Sequence, residues 1–199
     1  MKRSNVLNIR DLILVAVIGV AFGVLSAYFA TVDMMMISFL GPLGSSITYG
    51  FFYISPLLAG YIVQKPGAAL LSGIINGFGQ ALAGNPWGII TLIYGVLQGG
   101  GTEAGFLAYR YRRWGLPGML AGGGISGVLT YIYEYFQYSY GQFSVPYRLA
   151  TLVVRIISGM ILGALLAYGI GNGIARTGVL SGFNLGRARL ETGKADKAA

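Results

Sequence analysis

Cysteine and histidine are both missing from the 199 residues. Without cysteine there is no disulfide, no thiol nucleophile and no thiolate-held zinc or iron–sulfur site. Without histidine the commonest metal ligand and general base is gone, and with it an intramembrane Ser–His dyad. Charge is scarce too: 10% of residues are Asp, Glu, Lys or Arg, against about 25% in ordinary soluble domains. A phosphate-gripping GxxxxGK[ST] loop is absent, since Gly193-Lys194, the one Gly-Lys pair, is followed by Ala195. The chain therefore carries no ATPase site of its own. Six acidic residues and no histidine form no catalytic constellation. Nor are there two inverted halves with matched broken helices, the usual mark of a secondary transporter. No enzyme, cofactor or metal is expected.

Apolar residues dominate instead. They make up 55% of the chain, and the mean hydropathy is +0.67, which points to an integral membrane protein. A span needs roughly 20 mostly apolar residues. Six candidates stand at about 11–31, 43–63, 67–83, 87–109, 117–139 and 148–175. The first apolar run, 12–30, has span length and no clear cleavage site after it, so it is expected to be a span rather than a signal peptide. Pro66, Pro86, Pro117 and Pro146 mark helix starts or the turns before them.

Lys and Arg set the orientation. Lys2, Arg3, Arg10, Lys65, Arg110, Arg112, Arg113, Arg176, Arg187, Arg189, Lys194 and Lys197 all fall on one side of a six-span chain. Only Arg148 lies on the other side, and Arg155 lies inside span six. The expected fold is all-α, a polytopic membrane protein with six transmembrane helices and cytoplasmic N and C termini. Residues 1–180 form the membrane domain, and 181–199 form a basic cytoplasmic tail that is disordered or lies on the surface. The net charge of +8 then reads as a topology signal facing anionic headgroups, with no nucleic acid as partner. A multi-pass protein of the bacterial plasma membrane is implied.

The outer connections differ in character. TVDMMMISFLGP (31–42) is apolar, with three consecutive methionines. It reads either as a lid folded over a pocket or as an interfacial helix. AGNPW (83–87) is a tight turn with Trp87 at the interface, and YGQFSVPY (140–147) mixes polar and aromatic residues. In span one, Gly19, Gly23 and Ala27 repeat every four residues. That ridge lets a helix approach closely, either one of this chain or one of a partner membrane protein. The runs Gly99–Gly101 and Gly122–Gly124 are expected to face each other between spans four and five.

Charge inside the bilayer is expensive and usually paired or functional. Glu134 sits in YIYEYFQYSY (131–140), among five tyrosines. It lies roughly 8 Å below the outer end of span five, and Arg155 lies roughly 11 Å below that of span six. Glu103 is in the inner half of span four and reads as structural, bonded to backbone or to a tyrosine. Tyr131, Glu134, Tyr135 and Tyr138 share one helical face. Asn76, Gln80, Asn85, Trp87, Tyr94 and Gln98, with Tyr49 and Tyr53 on span two, supply further outer-half polar and aromatic groups. Together these make an outward-facing pocket suited to a flat, above all cationic, heterocycle. The plainer alternatives are an aromatic belt, favoured for Tyr138 and Tyr140, and a buried Glu134–Arg155 ion pair. Arg155 would then orient Glu134 or complete the pocket.

Six helices, a small-residue ridge on the first, and the stretches NGFGQALAGNPWG (76–88) and TYIYEYFQY (130–138) resemble the S components of energy-coupling factor vitamin transporters, YkoE type. The resemblance covers nearly the whole chain except the tail. It implies uptake of thiamin or its hydroxymethylpyrimidine precursor, captured from outside and delivered with a transmembrane coupling subunit and two ATPases, by toppling of the S component in the bilayer. The family's docking motif, alanines four apart on the first helix, is matched in size by Gly19, Gly23 and Ala27. Thiamin-binding members combine a carboxylate with aromatic stacking. Glu134, Trp87 and the nearby tyrosines match in type, so Glu134 is expected to pair with the ligand, with Trp87 and Tyr131 as walls. Asn76, Gln80 or Asn85 would read ring nitrogens and amino groups. The rival readings are a stand-alone proton-coupled carrier of a small cationic heterocycle, using Glu103 or Glu134, and a structural subunit that transports nothing.

Overall fold

The computed structural model describes residues 6–187. The basic residues Lys2, Arg3, Arg189, Lys194 and Lys197 lie outside the described residues, as does the expected tail from 188 onward. Among the described residues every regular element is helical. The chain forms α1 (Ile9–Leu40), α2 (Pro42–Thr48), α3 (Ile54–Val63), α4 (Ala68–Leu82), α5 (Thr91–Ala108), α6 (Leu116–Gln137), α7 (Val145–Ser158) and α8 (Ala164–Arg176). A 3₁₀ turn, Tyr49–Tyr53, joins α2 to α3, and a π turn, Gly159–Gly163, joins α7 to α8. These elements therefore make six continuous rods, as the hydropathy predicts. Three of them, Ile9–Leu40, Pro42–Val63 and Val145–Arg176, are long and apolar enough by composition to cross a membrane.

The second rod is the axis. Every residue of α3 is buried, because α3 touches α1, α4, α5, α6 and α8. Around it α1 packs along α4, α4 along α5, α5 along α6, and α6 against α7 and the π turn. Small polar side chains tie the rods together where no water reaches. Tyr53 meets Thr130 at 2.6 Å, Ser55 meets Ser72 at 2.9 Å, and Ser126 donates to the Gln98 carbonyl at 2.8 Å.

The first helix departs from the sequence reading. Residues 31–40 are neither a folded-back lid nor a separate interfacial helix; they continue α1. No proline or glycine interrupts the run before Gly41, and the Thr31 and Ser38 hydroxyls donate back to the Tyr28 and Met34 carbonyls of their own helix. Gly41 makes the whole corner, at φ +60° and ψ −148°, a conformation open essentially to glycine alone. Pro42 then starts α2 with the φ a first helical turn wants. Tyr147 staples the corner: its hydroxyl donates to Leu40 O and accepts from Leu43 N.

At the other end, Asn8 and Asp11 form a capping box, and Asp11 pairs with Lys65 at 2.6 Å. Glu103 accepts from the backbone N–H groups of Gly67, Ala69 and Leu70, at 2.8, 3.2 and 3.4 Å. It therefore supplies acceptors for the orphan donors at the start of α4, where negative charge is also favoured by the helix dipole. Residues 181–187, expected to belong to a loose tail, pack instead. Leu180 and Leu185 are buried, and the Asn184 side chain donates to Val63 O at 2.8 Å.

The ridge of Gly19, Gly23 and Ala27, expected to dock a partner, is instead covered within the chain, and the glycine runs of α5 and α6 also differ from expectation. A Cβ at Gly23 would stand 2.8 Å from Gly79 Cα, and one at Gly19 would stand 2.7 Å from the Ile75 side chain. Gly19, Gly23 and the buried Ala27 thus sit on faces of α1 covered within the chain, the first two by α4. The triple glycines do not simply face each other. Gly101 meets Ser126 of α6, whereas Gly99 meets Ala69 and Leu70 of α4 and Gly123 meets the π turn. Each run serves two neighbours, because consecutive helical residues point about 100° apart.

Candidate functional site

Rods entering and leaving one end of the bundle leave a cavity of about 240 Å³. That end is opposite Arg10, Lys65, Arg110 and Arg176, so by the charge rule it faces outward. Its walls come from the last turns of α1 (Asp33, Ile37), the α2 rod (Pro42, Ser45, Tyr49, Phe52), the C-terminal part of α4 (Gln80), Trp87, the first half of α5 (Thr91, Tyr94, Gln98), the end of α6 (Glu134, Tyr138) and the following connection (Tyr140, Phe143). Seven rings and two carboxylates are thereby gathered around one space.

Glu134 is 4% exposed and both of its oxygens are engaged. Oε1 accepts from the Tyr49 hydroxyl at 2.5 Å and the Tyr94 hydroxyl at 3.1 Å. Oε2 accepts from the Tyr140 hydroxyl at 2.9 Å and lies 2.6 Å from Arg155 Nη1. Arg155 is fully buried. Its Nε donates to Ser46 Oγ at 3.2 Å, and its guanidinium lies 4.1 Å from the centre of the Tyr49 ring. Thus a buried charge pair in low dielectric is supported by three phenols, a hydroxyl and a ring face, the kind of compensation such a pair requires.

Asp33 was not singled out in the sequence, because the segment around it reads as a connection. Continuation of α1 carries it inward to 3% exposure. Thr48 Oγ1 donates to Oδ1 at 2.5 Å, and Ser45 Oγ donates to Oδ2 at 3.1 Å. Its place three residues after Ala30, in line with the small residues Gly19, Gly23 and Ala27, is the one sequence signal that could have found it. Tyr140, Phe143, Phe52 and Ser45 are further lining residues that only the tertiary arrangement reveals.

Of the residues expected at the site, Tyr49, Gln80, Trp87, Tyr94, Gln98, Glu134 and Tyr138 line the cavity. Asn76, Asn85, Tyr131, Tyr135 and Arg155 stand behind it. Asn76 and Asn85 belong to an amide ladder: Gln80 Nε2 donates to Asn76 Oδ1 at 2.7 Å, Asn85 Nδ2 to Gln80 Oε1 at 2.9 Å, and Trp87 N to Asn85 Oδ1 at 2.9 Å. The ladder fixes the 83–87 turn and so the Trp87 ring, which lies 6.0 Å from the Tyr138 ring. Tyr131 and Tyr135 turn toward α7, where the Tyr131 hydroxyl donates to Arg148 O at 3.0 Å and Arg148 Nη1 donates to the Tyr135 hydroxyl at 2.9 Å. Gln98 is 2% exposed, and its Oε1 accepts no hydrogen bond from a described residue.

Known proteins share both the sequence and the fold. A family model described as "ABC-type cobalt transport system, permease component" matches residues 10–129. A Bacillus subtilis (strain 168) protein, provisionally named HMP/thiamine permease protein YkoE, is 36% identical over 180 residues, covering 90% of each chain. A crystal structure of an S component of an ECF transporter superposes with a TM-score of 0.92 at 34% identity, over 98% of this chain and 99% of that one. The chain belongs to the YkoE-type S components of energy-coupling factor transporters, multi-pass proteins of the membrane.

Proposed function

We propose that this S component captures thiamin or its hydroxymethylpyrimidine precursor in the outward cavity and delivers it with a coupling subunit and two ATPases. The observation that carries the reading is a ring-walled cavity lined by two carboxylates and two side-chain amides. Aromatic faces stack on a flat heterocycle, and buried polar groups fix its orientation. The relative's name, which couples HMP with thiamin, supports the same substrate class. Cobalt, named in the family description, fits these walls poorly. The chain has no histidine or cysteine, and its described residues hold no group of three Asp or Glu side chains placed to ligate an ion. Energy has to come from elsewhere, because the chain has no phosphate-binding loop.

Calorimetric titration of the purified protein with thiamin and with hydroxymethylpyrimidine tests the capture step, and saturable binding of at least one is expected. Binding of neither overturns the reading. Liposomes test delivery: the chain alone gives no ATP-dependent uptake, and adding the coupling subunit and ATPases restores it. Uptake by the chain alone that collapses with a proton gradient would favour the stand-alone carrier instead.

A further inference from the structure

We propose that Asp33, rather than Glu134, is the counter-charge for the cationic ring of the ligand. The inference rests on the reading that this cavity takes thiamin or its pyrimidine. A carboxylate offers about four lone-pair sites. On Glu134 three are taken by the hydroxyls of Tyr49, Tyr94 and Tyr140, and Arg155 Nη1 stands beside Oε2 as its ion-pair partner. Its charge is already balanced by Arg155 at 2.6 Å. Asp33 receives two hydrogen bonds, both from neutral hydroxyls, and forms no ion pair among the described residues. Of Asp33, Glu134 and Arg155, the last two are paired with each other, and Asp33 is the carboxylate without an ion-pair partner among the described residues. Both carboxylates line the same space, so a permanent cation entering it finds its partner on α1.

A second observation points to the same ligand. Gln98 Oε1 is buried in the cavity wall and accepts no hydrogen bond from a described residue. It suits an amino group on a neutral ring. Asp33 lies on α1 and Gln98 on α5, so the two ends of a ligand with one cationic and one amino-bearing ring are addressed by different helices. Ser45 and Thr48 hold the Asp33 carboxylate in place while leaving about two of its lone-pair sites for the ligand.

The experiment compares two ligands that differ in charge. Thiamin and neutral hydroxymethylpyrimidine are titrated into the parent protein and into Asp33→Asn. The variant is expected to lose about tenfold or more in thiamin affinity, the effect of removing one charge-assisted contact. Its affinity for hydroxymethylpyrimidine should stay within about threefold of the parent, which also reports that it is folded. Equal losses for both ligands, or no loss for thiamin, overturn the assignment of Asp33 and leave the functional reading standing. A parent that binds neither compound brings down both. A thiamin-bound structure of the unmodified chain decides the matter independently of any variant. The thiazolium within about 6 Å of the Asp33 carboxylate supports the proposal, and the thiazolium seated against Glu134 instead overturns it.

Discussion

Removing one partner of the Glu134–Arg155 pair leaves the other charge buried. The expected loss is about 3–5 kcal/mol for Arg155→Met or Glu134→Gln alone. The double variant should lose less than the sum of the two, because no lone charge then remains. Thermal unfolding in detergent, run as a double-mutant cycle, checks this; strictly additive losses would mean the pair does not act as a unit. Tyr49 is a milder case. Tyr49→Phe removes one of three hydroxyl donors to Glu134 and keeps the ring against Arg155, so about 1 kcal/mol is expected. The ion pair was legible in the sequence from the shared depth of two charges. That three tyrosines donate to Glu134 was not, since Tyr49 and Tyr94 lie 85 and 40 residues away in the chain.

Helix ends and helix contacts carry separate predictions. Glu103→Ala strips the acceptor from three backbone donors at the start of α4. It should lower stability by about 1–2 kcal/mol. Thiamin affinity should be unchanged, because Glu103 lies at the end of the bundle away from the cavity. A loss of binding with stability intact would instead give Glu103 a part in transport. Gly23→Leu forces apart α1 and α4, where a Cβ alone would meet Gly79 at 2.8 Å. Because α1 carries Asp33 and α4 carries Gln80, the same substitution should weaken ligand binding as well as lower the melting temperature. The small-residue ridge was readable from its four-residue period. Which helix fills it was not, because a ridge of small residues accepts any helix that can approach.

As a whole the molecule presents apolar side chains where a soluble protein would present charge. Ile13, Val17, Val20, Leu25, Ile157 and Ile161 are all 48% exposed or more, on α1 and on the last rod. A belt of this kind belongs in lipid. The missing cysteines make the orientation easy to map, since any introduced thiol is the sole one. Arg112→Cys, on the α5–α6 turn, should react with a membrane-impermeant maleimide only after the cells are opened. Gly141→Cys, on the α6–α7 connection, should react in intact cells. The reverse pattern would invert the molecule and place the cavity on the cytoplasmic side.

Composition and charge placement by themselves determined that the chain is a bundle of six membrane-crossing rods, and which end carries the positive charge. Those properties are summed over many residues, so local departures do not disturb them. The sequence also marked Glu134, Trp87 and their aromatic neighbours, because charge and large rings stand out against an apolar background. Only the tertiary structure decided that α1 runs on to Leu40 and brings Asp33 into the cavity, that Tyr131 and Tyr135 face α7, and that Arg155 spends its charge on Glu134. Each of these depends on how rods distant in the chain are rotated about their axes. That rotation follows from packing, and periodicity within one helix does not encode it.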